Sequence, residues 1–216
     1  MNISKYFKYL IPPMTLIFHT KKTGLYRYKN YSHYKKVQVE GNIKKINQSW
    51  VVEKNIKYLS SFLKNEVPNL KFGICHGTRR GKEQEWFSKY LSINVIGTEI
   101  SPTATQFPNT IQWDFHDVKP EWINNIDFIY SNSFDHSYKP KECLDAWMSC
   151  IKKSGMLILE WTTGHIGVDE LDPFGATLDA YKILITEKYK IKKILKAPSN
   201  RLWKLHNRYY FIISHK

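Results

Sequence analysis

Cysteine is scarce: Cys75, Cys143 and Cys150 are the only three in 216 residues. The odd count and the lack of a paired spacing exclude a disulfide framework and a zinc site of the usual spacing. The three read as core thiols, with Cys143 and Cys150 seven apart on one helix face. Long apolar runs are also missing, so no segment is expected to span a bilayer. The nearest candidate, Tyr9 to Phe18, is broken by Pro12-Pro13, and His19-Thr20-Lys21-Lys22 does not supply the small residues of a secretory cleavage site. A cytoplasmic protein is expected. There is no internal repeat and no low-complexity linker.

Acidic residues are few as well, 19 Asp and Glu against 33 Lys and Arg, for a net charge of +14. The imbalance is local. Residues 1–71 hold 14 basic and 3 acidic residues, a net of +11, whereas residues 72–216 hold 19 and 16, a net of +3. In residues 26–36, Tyr26, Tyr28, Tyr31 and Tyr34 interleave with Arg27, Lys29, Lys35 and Lys36. Two readings fit. Such a surface can stack bases and contact phosphates, or the rings can pack on the domain while the amines stay in water.

What is present is a folded composition, 42% apolar and 15% aromatic, in a chain long enough for one full core and too short for two large domains. Residues 1–40 show no clear period. Ile43, Ile46, Trp50, Ile56, Leu59 and Leu63 then recur at helical spacing, predicting one helix over 41–64 with Trp50 as a core or lid residue. Downstream, strands are predicted at 70–75, 94–98, 110–113, 127–131 and 156–161. Helices are predicted at 82–91, 140–153 (ended by Ser154-Gly155) and 176–188. A loop spans 164–175, and two closing strands lie at 190–195 and 208–214. Strands alternating with helices imply parallel βαβ units. Residues 1–67 are read as a basic, aromatic extension with a covering helix, and 68–216 as the main domain.

The organising stretch is Leu70 to Glu99: strand, a turn His76-Gly77-Thr78-Arg79-Arg80-Gly81, helix, second strand, acid. A glycine-bearing turn lets a ligand approach the backbone, and the helix start offers unpaired N–H groups. An acid about 20 residues later at a strand tip can accept from a ribose diol. Glu99 is the best single candidate, since a buried carboxylate needs partners. This describes a nucleoside pocket at the carboxyl edge of a parallel sheet.

The same residues carry a resemblance. Gly73-Ile74-Cys75-His76-Gly77-Thr78-Arg79-Arg80-Gly81 and Val95-Ile96-Gly97-Thr98-Glu99 resemble the first two motifs of class I S-adenosylmethionine-dependent methyltransferases. The likeness extends through 127–133 and 154–160 and covers roughly residues 68–216. Gly73 stands where that motif has an acid, Cys75 where it has its first glycine, and Arg79 where it has a later one. The resemblance implies an α/β, three-layer, Rossmann-like fold with a mostly parallel seven-stranded sheet and an antiparallel last strand, preceded here by the helical or irregular extension. It implies S-adenosyl-L-methionine as cofactor, bound by His76, Gly77, Thr78, Arg79, Gly81, Glu99, Ile100, Asp114, Phe115, Ser131 and Asn132. Asp114 would accept from the adenine amine, with Trp113 or Phe115 on the ring, and Arg79 or Arg80 would grip the carboxylate.

Methyl transfer depends on alignment, and a hydroxyl acceptor also needs a base. His136 with Asp135 follows the fourth strand and is the first candidate; His165, with Asp169 nearby, is the second. His116, Asp114, Asp135, His136 and His165 show no His-x-x-x-His or Asp-x-Asp spacing, so no metal is expected. Ser131-Asn132-Ser133-Phe134 replaces the tetrad of amino-directed nucleic-acid methyltransferases. The expectation is therefore O-methylation of a small molecule, a sugar or related metabolite, by a monomer or homodimer. The alternatives are an RNA or protein methyltransferase using the basic arm, which is not favoured, and a non-catalytic binding subunit with a degenerate cofactor site.

Overall fold

In the computed structural model the described residues are 14–15, 23–199 and 207–216. Among these described residues, ten strands and five α-helices follow in order: β1 (Met14–Thr15), β2 (Thr23–Tyr26), α1 (Tyr31–Lys44), α2 (Glu53–Glu66), β3 (Phe72–His76), α3 (Lys82–Leu91), β4 (Asn94–Glu99), β5 (Thr110–Gln112), β6 (Ile126–Ser131), α4 (Pro140–Cys150), β7 (Ile151–Thr162), β8 (Phe174–Ala176), α5 (Leu178–Thr186), β9 (Lys190–Lys196) and β10 (Arg208–Ser214).

Seven strands form one sheet in the order β5-β4-β3-β6-β7-β10-β9. The first five are parallel, and β10 runs antiparallel to both neighbours. Side-chain alternation divides the core. Ile74, Ile129, Leu157, Leu159 and Phe211 face α4 and α5; Cys75, Val95, Phe128, Tyr130, Met156, Ile158 and Tyr210 face α2 and α3. Every residue of β6 is buried, as a central strand covered on both faces requires. The edge strand β9 carries Lys190, Lys192, Lys193 and Lys196, which discourages pairing with another sheet.

Three expectations are corrected. The single helix at 41–64 is two helices, α1 and α2, separated at 45–52. α1 escapes a periodicity search because its buried face is Tyr34, Gln38, Gly41 and Asn42, mostly polar. Ser154-Gly155 does not end a helix. α4 stops at Cys150 and the chain turns directly into β7, where a side chain at Gly155 would meet the Asp127 carbonyl at 2.6 Å. Third, the expected loop at 164–175 contributes β8, which joins β2 and β1 in a second, antiparallel sheet. Tyr34 is buried and Tyr28 half-buried, whereas Tyr31 stays exposed; of the two readings of the tyrosine-rich arm, the packed one describes Tyr34 and Tyr28.

Candidate active site

The turn after β3 is set by backbone conformation. Gly77 and Gly81 have φ of +73° and +71°, and Arg79 also lies in the left-handed region at +42°. Gly81 precedes α3 as its N-cap, and Lys82 to Leu91 forms the helix over the predicted bounds. A Cβ on Gly77 would strike Ser133. That glycine thus admits the loop after β6, whose Ser133 hydroxyl donates to the Gly77 carbonyl at 3.0 Å.

Glu99 turns toward this loop. Its Oε2 accepts from the Arg79 N–H and its Oε1 from the Ser101 N–H, each at 3.0 Å. Burial pushes its pKa up, and the two backbone donors oppose that. An ionised carboxylate offers about four acceptor positions, so one remains on each oxygen.

Glu99 lines a cleft with Ile100, Phe115, Gly77, Arg79 and His136, roofed by the polar face of α1. The roof is close, leaving about 50 Å³ here. The space continues past Gly77, Arg79, Ser133 and His136 into a roomier part of about 200 Å³, bounded by Thr78, Glu83, Asn132, Asp135, His165 and Asp172. Gln38 fastens the roof: its amide donates to the Leu171 carbonyl at 2.9 Å, and its carbonyl lies 3.0 Å from His136 Nδ1.

Of the residues singled out by sequence, Gly77, Thr78, Arg79, Glu99, Ile100, Asp114, Phe115, Asn132, Asp135, His136 and His165 line this cleft. His76 does not present its side chain there. Its ring is buried, stacks on Trp147 at 4.9 Å and meets Thr98 Oγ1 at 2.8 Å. Burial, with the neighbouring His116, pushes its pKa down to about 3. Ser131 is likewise buried, its hydroxyl bridging the His76 carbonyl and the Ser133 N–H. Gly81 serves the helix start. Both oxygens of Asp114 are engaged already, one by the Tyr31 hydroxyl at 2.8 Å and the other by the His116 N–H and ring nitrogen. Trp50 is half exposed, stands at the cleft and lies under the Arg208 guanidinium.

Two histidine–carboxylate pairs converge in the roomier part. His136 Nδ1 lies 2.8 Å from the Leu171 carbonyl, and Nε2 lies 3.5 Å from Asp172. Since both neighbours of Nδ1 are carbonyl oxygens, Nδ1 holds the proton and Nε2 carries the lone pair. His165 Nε2 lies 3.5 Å from Asp135 Oδ2. The other ring nitrogen of His165 and the other oxygen of Asp135 are buried without a partner among the described residues. Asp135, His136 and Asp172 also bring one ligand atom each within 4.8 Å of one another. Sequence spacing did not show this cluster, because Asp172 arrives from the loop after β7. Glu83, Asp172, Gln38 and Asn42 are among the cleft residues that sequence reasoning passed over. Glu83 had a signal, an acid in the first turn after the glycine loop.

No protein-family model matches the chain, and no curated protein matches it in sequence. Solved structures do match in fold. One is the 1,6-didemethyltoxoflavin-N1-methyltransferase of Burkholderia thailandensis, with bound 1,6-didemethyltoxoflavin and S-adenosylhomocysteine: TM-score 0.67, 11% identity, covering 95% of this chain and 100% of that one. A SAM-dependent methyltransferase of Archaeoglobus fulgidus matches with TM-score 0.57 and 15% identity over 76% of this chain and 95% of that one. A TehB-like SAM-dependent methyltransferase of Corynebacterium glutamicum matches with TM-score 0.54 and 12% identity over 87% and 100%. The chain therefore has the class I methyltransferase fold.

Proposed function

We propose that this chain, which has the class I methyltransferase fold, is an S-adenosylmethionine-dependent methyltransferase acting on a hydroxyl of a small molecule, a sugar or related metabolite. One observation carries the reading. The Glu99 carboxylate, at the carboxyl end of β4, is held over the Gly77–Gly81 turn with one acceptor position spare on each oxygen. A ribose diol fits that disposition, and Ile100 and Phe115 offer apolar contact beside it. Gly77, Arg79 and Asn132 extend the same wall toward the roomier part, where the amino-acid end of the cofactor belongs.

When bound, the cofactor supplies an electrophilic methyl group on a sulfonium. The chain's own contribution is alignment and removal of the acceptor's proton. His136 is assigned as the base, acting through Nε2 while the Leu171 carbonyl fixes the proton on Nδ1. The Asp135–His165 pair, buried in the same cleft, is the second group able to take a proton. The roof formed by α1 and by Leu171 supports a small acceptor over a macromolecule. Its closeness implies that α1 moves outward to admit a nucleoside, since ligand pockets usually measure about 300 Å³ or more.

Calorimetry with S-adenosylhomocysteine tests the cofactor, and transfer of labelled methyl to a panel of hydroxylated metabolites tests the acceptor. Binding heat abolished by Glu99→Ala is expected. No heat with the wild-type protein would favour a non-catalytic subunit. A steep loss of acceptor binding with salt would favour a nucleic-acid substrate.

A further inference from the structure

Glu83, in the first turn of α3, is buried, yet among the described residues it forms no ion pair. Its partners are its own backbone N–H and the Asn132 amide, which donates to Oε1 at 3.2 Å. A carboxylate taken out of water without a cation is costly. Burial accordingly pushes its pKa up to about 7, with Glu160 adding to the rise and Asn132 and Arg79 opposing it. The residue is not sealed in the core, because it bounds the roomier part of the cleft together with Thr78, Arg79 and Asn132.

A second observation concerns Gly73, which stands where the resembled motif has its acid. A side chain there would collide with the Phe128 ring. β3 thus has no room for a carboxylate at Gly73, and this chain holds a buried one, without an ion pair among the described residues, at the start of the next helix. The amino-acid end of S-adenosylmethionine carries an α-ammonium group, which is the cation such a site lacks.

We propose that Glu83 is the counter-ion for the α-ammonium group of the cofactor, with Asn132 orienting the carboxylate. The proposal rests on the cleft being the S-adenosylmethionine site, and it adds to that reading a binding residue that neither the motif nor the spacing supplies. Loss of the pairing is read as weaker binding of ligands that carry the ammonium and of no others.

Calorimetry with S-adenosylhomocysteine and with 5′-methylthioadenosine, which keeps the adenosine and lacks the amino acid, separates the two claims. At pH 8, Glu83→Gln is expected to weaken S-adenosylhomocysteine by about tenfold or more and to leave methylthioadenosine within about twofold. Wild-type affinity for S-adenosylhomocysteine is expected to rise about tenfold from pH 6 to pH 8 as the carboxyl ionises, and the variant to lose that dependence. Arg79 from the turn, Cys75 from β3, Tyr130 from β6 and Glu160 from β7 face Glu83, and Lys45, Arg80, Asp135, His136, His165 and Asp172 share its cleft. A pH dependence that survives in Glu83→Gln belongs to those groups and overturns the proposal. The analogue of S-adenosylhomocysteine with hydrogen in place of the ammonium tests the wild type directly, so the decision does not require the variant to fold. Its binding as tightly as the parent overturns the proposal. If wild-type protein binds neither nucleoside, the cofactor reading falls and takes this one with it. If it binds both, and Glu83→Gln affects them equally, the counter-ion assignment falls alone.

Discussion

The Arg79 backbone N–H donates to Glu99 Oε2 at 3.0 Å, fastening the turn after β3 to the tip of β4. The bond joins residues 20 apart and fixes which way the carboxylate points. Replacing Glu99 by Gln keeps the shape but removes the charge and substitutes a donor for one acceptor. Two charged hydrogen bonds to a ribose are worth about 1.5–3 kcal/mol each. Affinity for S-adenosylhomocysteine is therefore expected to drop on the order of 100-fold or more by calorimetry, and the melting temperature to fall as well, because the new amide N–H group faces one of the two backbone N–H groups that the carboxylate accepts from. Unchanged affinity would remove the ribose clasp.

His76 makes a prediction about stability and pH. Its folded-state pKa is depressed to about 3 by burial and by His116, against roughly 6.5 in an unfolded chain. Between those values the unfolded chain binds the extra proton, so stability falls as pH falls from about 6.5 toward 3, by a few kcal/mol in order of magnitude. Urea unfolding of His76→Phe should show a flatter acid limb. At pH 7 the variant should be about 1 kcal/mol less stable, because Thr98 Oγ1 loses its partner. An unchanged acid limb would assign the dependence to other groups.

Restoring the motif's acid should fail. In Gly73→Asp the new side chain meets the Phe128 ring, and overpacking of this kind costs about 1–3 kcal/mol or more. The urea midpoint should fall, and S-adenosylhomocysteine should bind no better. Pairing Gly73→Asp with Phe128→Ala should cost less than the two single changes added together.

His136 and His165 can be ranked by kinetics. His136→Gln is expected to lower kcat by roughly 100- to 10,000-fold, the usual range for a lost general base, while KM for the cofactor moves little. His165→Gln and Asp135→Asn should have smaller, matching effects, since the two residues form one pair. A larger loss at His165 would exchange the roles. Full activity in both variants would mean that no base is needed and that the acceptor is not a hydroxyl.

Much of the fold was legible because its signals are local. β3, α3 and β4 follow from an apolar strand, a glycine turn and an amphipathic helix, and the structure places α3 over Lys82–Leu91 as expected. The facing of Glu99 toward the turn also agrees with its position at a strand tip. The helix α1 was not legible, since hydrophobic periodicity finds helices that bury apolar faces and this one buries Gln38 and Asn42 against a cleft. The Ser154-Gly155 pair misled for a related reason. Glycine marks a helix end or a close backbone approach equally well, and only the Asp127 carbonyl beside Gly155 decides between them.

The sequence by itself determined the alternation of strands and helices and the position of an acid 18 residues after Gly81, because backbone preferences and burial patterns act over a few neighbours; the antiparallel last strand was implied by the family resemblance. Tertiary structure alone decided which side chains share the cleft. Asp172 reaches His136 from another loop, Glu83 meets Asn132 across 49 residues, and the ring of His76 turns into the core instead of the site. Such meetings depend on how distant elements pack, and packing is fixed by the volume and polarity of the whole interior rather than by the order of residues in any one stretch.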